Sequence, residues 1–187
     1  MNRIAIFASG SGTNAENIIN YFSKDLNISV VLLLCNNPDA GVIVRAKRLG
    51  VPFRLFSKGE FDEIHALLRE LKVDYLILAG FLLKVPDNLV ASYSGRIINI
   101  HPALLPKYGG KGMYGMNVHN AVIAAKEKES GITIHIVDNM YDHGTTLFQA
   151  KCPIEAHDTP EDLAAKIHIL EQANFPRVIK EYISSRL

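Results

Sequence analysis

Ile4-Ala5-Ile6-Phe7-Ala8 runs directly into Ser9-Gly10-Ser11-Gly12-Thr13-Asn14, and the reading of that junction decides the fold. Five apolar residues without polar alternation read as a strand covered on both faces. The Gly- and Ser-rich stretch reads as a tight turn. From Thr13 to Phe22 the residues Ile18, Ile19 and Phe22 recur at helical spacing. Outward from this unit the pattern repeats. Ile28 to Cys35 reads as a second strand, Gly41 to Leu49 as a helix closed by Gly50, Pro52 to Phe56 as a short strand, Phe61 to Leu71 as a helix and Tyr75 to Ala79 as a fourth strand. Strands that alternate with helices imply a parallel sheet with right-handed crossovers. The fold class expected is therefore α/β, a Rossmann-like doubly wound, mostly parallel sheet.

The second half reads differently. Arg96 to Ile100 is a strand ending at His101-Pro102, followed by a Gly- and Lys-rich loop from Leu104 to Gly115 and a helix at about residues 117–126. Gly131 to Val137 and Thr146 to Ile154 read as a C-terminal strand pair around a turn at Asp138 to Gly144. A long final helix begins with Thr159 as N-cap, Pro160 in the first turn and Asp162 three residues after the cap, and runs to about Ser184. No repeat, low-complexity tract or linker interrupts the chain, so residues 1–187 are expected to form a single domain.

Composition narrows the function. With 187 residues, 48% hydrophobic and 21% charged, the chain resembles an ordinary globular protein. A formal net charge of +1 gives no bulk positive field for a long nucleic acid. No apolar run approaches the ~20 residues of a membrane span, and Ile4 to Ala8 is too short for a signal peptide. Cys35 and Cys152 lack metal spacing, and no histidine pair has zinc spacing, so no metal is expected. The expected setting is cytoplasmic.

Three motifs carry candidate chemistry. A Gly-rich turn at a helix start turns backbone N–H groups toward an anion, a phosphate above all; a tight turn without a ligand is the other reading. The dinucleotide fingerprint wants a glycine where Ala15 stands and an acidic residue at the end of the second strand, where Asn36-Asn37 stands. There is no Gly-Lys-Ser/Thr of a P-loop. Second, alternation puts Asn99 and His101 on one side of their strand. An amide and an imidazole there can stabilise an oxyanion and move a proton, or can be a satisfied pair at a loop edge. Third, Asp142 lies in the turn before His143-Gly144 and is a candidate partner for His101, although Asp in a turn is common on its own. His135, in an alternating strand, is a candidate support for the site.

Taken together, Ala8-Ser9-Gly10-Ser11-Gly12-Thr13-Asn14, Leu78-Ala79-Gly80-Phe81-Leu82, Ile98-Asn99-Ile100-His101-Pro102-Ala103-Leu104-Leu105-Pro106-Lys107-Tyr108 and Asp142-His143-Gly144 resemble the folate-dependent phosphoribosylglycinamide formyltransferases of purine synthesis. The resemblance covers essentially the whole chain and implies the formyltransferase fold. It also implies transfer of a formyl group from 10-formyltetrahydrofolate, as co-substrate, to the amine of 5'-phosphoribosylglycinamide (GAR), without a metal. Asn99, His101 and Asp142 would be the catalytic set, with Asp142 holding His101 charged. Gly12, Thr13 and Asn14 would hold the phosphate, and Glu171 the ribose. Lys58, Leu82, Leu83, Lys84, Val85, Asn99, Asp138, Asn139, Met140, Tyr141 and Asp142 would contact the folate. The implied partners are small molecules, with no nucleic acid and no membrane, and the chain is expected to work as a monomer or homodimer. The loop Gly109-Gly110-Lys111-Gly112-Met113-Tyr114-Gly115-Met116 is longer than the family commonly has, and His143-Gly144 stands where Gly-Gly or Thr-Gly is frequent.

Other readings make different demands. A formyltransferase acting on methionyl-tRNA needs an RNA-binding domain, for which 187 residues are expected to leave no room, and a formyltetrahydrofolate hydrolase usually carries a regulatory domain. A nicotinamide oxidoreductase would explain the Gly-rich turn but not Asn36-Asn37 or the Asn99/His101 pair. A non-catalytic phosphometabolite-binding module would leave that pair unexplained too.

Overall fold

The computed structural model describes residues 1–186. Its elements run β1 (Asn2–Ala8), α1 (Thr13–Phe22), β2 (Ile28–Cys35), α2 (Gly41–Leu49), β3 (Phe53–Leu55), α3 (Phe61–Glu70), β4 (Tyr75–Leu78), α4 (Asp87–Ser92), β5 (Ile97–His101), α5 (Met116–Ala124), β6 (Glu129–Ile136), β7 (Thr146–Pro153) and α6 (Pro160–Ser184). The strands lie in the order β3-β2-β1-β4-β5-β6-β7. This is the expected mostly parallel, doubly wound sheet, with β6 and β7 as an antiparallel pair. The chain divides into two compact units, residues 1–98 and 99–186.

In the first unit, β1 pairs in parallel with β2 on one side and β4 on the other. Ile4, Ala5, Ile6, Phe7 and Ala8 are wholly buried, as are Leu76 and Ile77 of β4. That explains why these strands lack polar alternation. Helices cover them with apolar stripes: Ala15, Ile18, Ile19 and Phe22 of α1, Val42, Ile43 and Ala46 of α2, and Phe61, Ile64 and Leu68 of α3. Gly50 closes α2 in the left-handed conformation, its N–H bonding back to Ala46 and Lys47. Strand order reverses at β1, between β2 and β4. The loops leaving the carboxyl ends of β1 and β4 are therefore the ones a doubly wound sheet turns toward a ligand.

In the second unit, β6 and β7 pair with a bulge: Ile134 opposes Phe148 while His135 opposes Thr146. A bulge re-aims the side chain beside it, and here that side chain is His135. α6 packs on α5, β6 and β7. Its start is the expected capping box, Thr159 Oγ1 accepting from the Asp162 N–H and the Asp162 carboxylate accepting from the Thr159 N–H. Two elements were not expected: α4, and a single 3-10 turn at Lys58–Glu60 capped by Ser57.

Candidate active site

The glycine-rich turn is held from behind by its carbonyls. That of Ser9 accepts from Asn37 Nδ2 (3.3 Å), that of Gly10 from the Val42 N–H (3.2 Å), that of Ser11 from Arg45 Nε (2.9 Å) and that of Gly12 from the Glu16 N–H (2.9 Å). The peptide bonds here are trans, so the N–H groups of Gly10, Ser11, Gly12 and Thr13 point the opposite way. With the positive end of α1 beside them, these are the groups an anion would meet at this turn. Gly12 adopts φ +81, and a Cβ there would lie 2.3 Å from Val42 Cγ2. Only glycine lets α2 approach this closely. Glu16, the acid in the first turn of α1, is ion-paired with Arg45 and Arg48, so its charge is balanced beside the turn.

Asn36 and Asn37 are engaged inward. Asn36 Oδ1 accepts from Ser9 Oγ (2.6 Å), and Asn37 Oδ1 accepts from the Asp39 N–H (3.1 Å). They buttress the turn and do not replace the ribose-binding carboxylate of a dinucleotide site.

The segment Leu82–Val85 follows Gly80, which has φ +74. Phe81 anchors it, with its ring 5.2 Å from that of Phe7 and 6.1 Å from that of Phe56. Leu82 is half exposed and Val85 is buried. Lys84 pairs with Asp87 at 3.0 Å, which turns it to the start of α4. Lys58 is exposed on the 3-10 turn.

In the second unit the structure brings Asn99, His101, His135 and Asp142 into one chain of contacts. Asn99 Nδ2 donates to His135 Nε2 (3.0 Å), and His135 Nδ1 donates to the Ile136 carbonyl (3.0 Å). With the amide nitrogen as donor, His135 Nε2 is the acceptor and Nδ1 carries the ring proton. Burial pushes His135 below the ordinary histidine range. His101 Nε2 donates to the Tyr108 carbonyl (2.8 Å). Its Nδ1 faces Asp142 Oδ1 at 3.6 Å, and the same oxygen lies 3.8 Å from His135 Nε2. Asp142 Oδ2 accepts from the Gly110 N–H (2.9 Å).

Asp142 was expected to keep His101 charged. Burial outweighs it: the imidazole, 3% exposed, is pushed below its ordinary pKa, although Asp142 and the Tyr108 carbonyl pull the other way. Burial thus favours the neutral ring, in which Nε2 donates to Tyr108 and Nδ1 is the open lone pair.

The turn Asp138–Asp142 is held by its own carboxylate. Asp138 accepts from the Met140 N–H (2.8 Å) and from His143 Nδ1 (2.9 Å). Met140 and Tyr141 are exposed, Asn139 lies between them and Asp138, and Asp142 takes φ +53. Glu171, on α6, lies 3.6 Å from His168 Nδ1.

Several contributors were not singled out from the sequence. Gly109 approaches Asp142 so closely that a Cβ would meet the Asp142 Cβ at 3.2 Å. Tyr108 and Gly110 then tie the start of the long loop to His101 and Asp142. Thr133 Oγ1 donates to the Ala103 carbonyl (2.7 Å) while accepting from the Leu105 N–H (2.9 Å) and from Gln149 (2.8 Å). This holds the segment after His101. The crowding of glycines after Tyr108 was the only local signal for any of this. Among the described residues, no group of three or more His, Cys, Asp or Glu could hold a metal ion.

Comparison with known proteins shows the family. The formyl transferase family model matches residues 2–179. The chain is 39% identical over 194 aligned residues to the chloroplastic phosphoribosylglycinamide formyltransferase of Vigna unguiculata, covering 99% of this chain and 62% of that protein. It is 37% identical over 191 residues to the phosphoribosylglycinamide formyltransferase of Bacillus subtilis, covering 98% and 95%. The crystal structure of the Bacillus halodurans phosphoribosylglycinamide formyltransferase superposes with a TM-score of 0.89 at 36% identity, covering 100% of this chain and 97% of that one. The chain belongs to the formyl transferase family. It spans less than two thirds of the plant relative's length.

Proposed function

We propose that this chain transfers the formyl group of 10-formyltetrahydrofolate to the amine of GAR, giving formyl-GAR and tetrahydrofolate. The observation that carries the reading is the set of buried His101 with part-buried Asn99 and Asp142 in a chain whose relatives bear the phosphoribosylglycinamide formyltransferase name. The amine nitrogen attacks the formyl carbon, and the formyl oxygen takes up negative charge. Asn99, whose amide has a second hydrogen beyond the one given to His135, donates to that oxyanion. His101 begins neutral, accepts the amine proton at Nδ1 and becomes an imidazolium beside Asp142. It returns that proton to the departing folate nitrogen as the carbon–nitrogen bond breaks, so protons balance.

In this reading the N–H groups of the glycine-rich turn, with Gly12, Thr13 and Asn14, take the GAR phosphate, and Glu171 takes the ribose. Leu82, Leu83, Lys84, Val85 and Asp138 to Asp142 receive the folate, with Lys58 as a further contact. The exposed apolar side chains of Leu82, Met140 and Tyr141 support that assignment. Residues 1–187 act as one catalytic domain on small molecules, as a monomer or homodimer, in the cytoplasm. The free thiols Cys35 and Cys152 fit a reducing compartment, and among the described residues no helix is long and apolar enough to cross a membrane.

The test is incubation with 10-formyltetrahydrofolate and GAR, followed by the absorbance of the deformylated folate. Asn99→Ala and His101→Ala are expected to bind both substrates and to turn over about 10²–10³-fold more slowly. Near-normal turnover in either variant rejects the site. No turnover in the wild type, with tight NAD binding instead, rejects the function in favour of an oxidoreductase.

A further inference from the structure

Ser9 is the residue between β1 and the glycine-rich turn, and it is 5% exposed. Each of its polar groups has a partner. Its N–H donates to the Gly80 carbonyl (3.0 Å), its carbonyl accepts from Asn37 Nδ2 (3.3 Å), its hydroxyl donates to Asn36 Oδ1 (2.6 Å), and the same hydroxyl oxygen accepts from the Leu82 N–H (3.0 Å). Gly80 and Leu82 flank Phe81, whose ring is packed on Phe7 and Phe56. The Ser9 backbone and side chain therefore grip the loop after β4 at two points, across the place where strand order reverses.

A hydroxyl can donate and accept at once. Asn36 offers an oxygen to the hydroxyl hydrogen, so the hydroxyl lone pairs are left for Leu82. We propose that Ser9 is a positioning residue that makes the glycine-rich turn and the Leu82–Val85 segment one mechanical piece, so that an anion ordering the first also orders the second. The proposal rests on the reading of these two segments as the phosphate and folate sites. In the enzyme, Ser9 sets both affinities together without touching either substrate.

The variants are Ser9→Ala, which removes the hydroxyl, and Ser9→Thr, which keeps it. The first readout is hydrogen exchange at the Leu82 amide with and without inorganic phosphate, a measurement that needs no turnover. In the wild type, phosphate slows exchange at Leu82. In Ser9→Ala, Leu82 exchanges faster and phosphate no longer changes its rate, while Ser9→Thr restores the response. The second readout is steady-state kinetics. Ser9→Ala raises the KM of both substrates by about tenfold, the scale of one lost hydrogen bond, with kcat little changed. A phosphate response at Leu82 that survives in Ser9→Ala overturns the proposal. So does a lowered melting temperature with both KM values unchanged, which is the mark of a structural role alone. Should Ser9→Ala not fold, Asn36→Ala removes the acceptor that orients the hydroxyl, and an undiminished phosphate response there overturns the proposal equally. A wild type that binds phosphate with the Leu82 response but does not turn over the substrates rejects the proposed function and leaves the latch standing.

Discussion

Asp142→Asn isolates the charge of the carboxylate from its other duties. Asp142 has φ +53, a conformation that Asn tolerates nearly as well as Asp and most residues do not. The Asn oxygen can still accept the Gly110 N–H now held at 2.9 Å. The new amide nitrogen would face His101 Nδ1, which in the neutral ring is a lone pair, so the resting geometry is retained. What disappears is the negative charge 3.6 Å from that nitrogen. At an effective dielectric of ~20, two unit charges at this distance attract by about 4.6 kcal/mol, or roughly three pKa units. Burial already holds His101 below its ordinary range, and Asp142 is the largest pull in the other direction. Without it, the imidazolium that forms when the amine proton is collected loses its counter-charge. Turnover should fall by about 10²–10³-fold, most of that Coulomb ceiling, with KM for GAR little changed and the melting temperature equal or higher. Single-turnover absorbance of the folate gives the rate, and an NMR titration of the His101 ring gives its pKa, which should move further down. Turnover within about threefold of the wild type, or an unmoved His101 titration, would refute the reasoning.

Gly12→Ala sets a Cβ 2.3 Å from Val42 Cγ2 and 2.7 Å from Val42 Cα at φ +81, so α2 itself must retreat; a loss of about 2–4 kcal/mol in urea unfolding is expected, and a loss below about 1 kcal/mol would show that the contact yields freely. His101, His119 and His135 are each pushed down by burial, so as pH falls through about 6.5 the unfolded chain binds protons that the folded chain refuses, and stability is lost with falling pH. The melting temperature should drop between about pH 7.5 and about pH 5.5, and a flat profile across that window would mean that these rings protonate in place.

Legibility of the sequence follows the range of the interaction concerned. The start of α6 was readable because it is a capping box, in which Thr159 and Asp162 are three residues apart. The parallel core was readable because a strand segment buried on both faces must be apolar, as Ile4 to Ala8 of β1 and Tyr75 to Leu78 of β4 are. α4 escaped because six residues after Pro86 complete fewer than two turns, too few to display a period. The site divides in the same way. The glycine-rich turn announces itself locally, and so does the Asn99-x-His101 alternation. The partners that give those residues their chemical state lie far off in sequence: His135 is 36 residues from Asn99, and Leu82 is 73 from Ser9.

The protonation state of His101 is the sharpest case. Proximity of a carboxylate argues for a charged imidazole, and from the sequence alone proximity is the only argument that can be made. Burial depends on what the fold packs around the ring, and here it prevails over Asp142. The difference changes the chemistry proposed. A permanently charged His101 could stabilise an oxyanion but could not take a proton from the attacking amine. A neutral His101, with Nε2 committed to Tyr108 and Nδ1 open beside a carboxylate, can accept the proton, hold it next to its counter-charge and give it back. In the proposed reaction, a depressed resting pKa would let one imidazole serve both halves of the transfer.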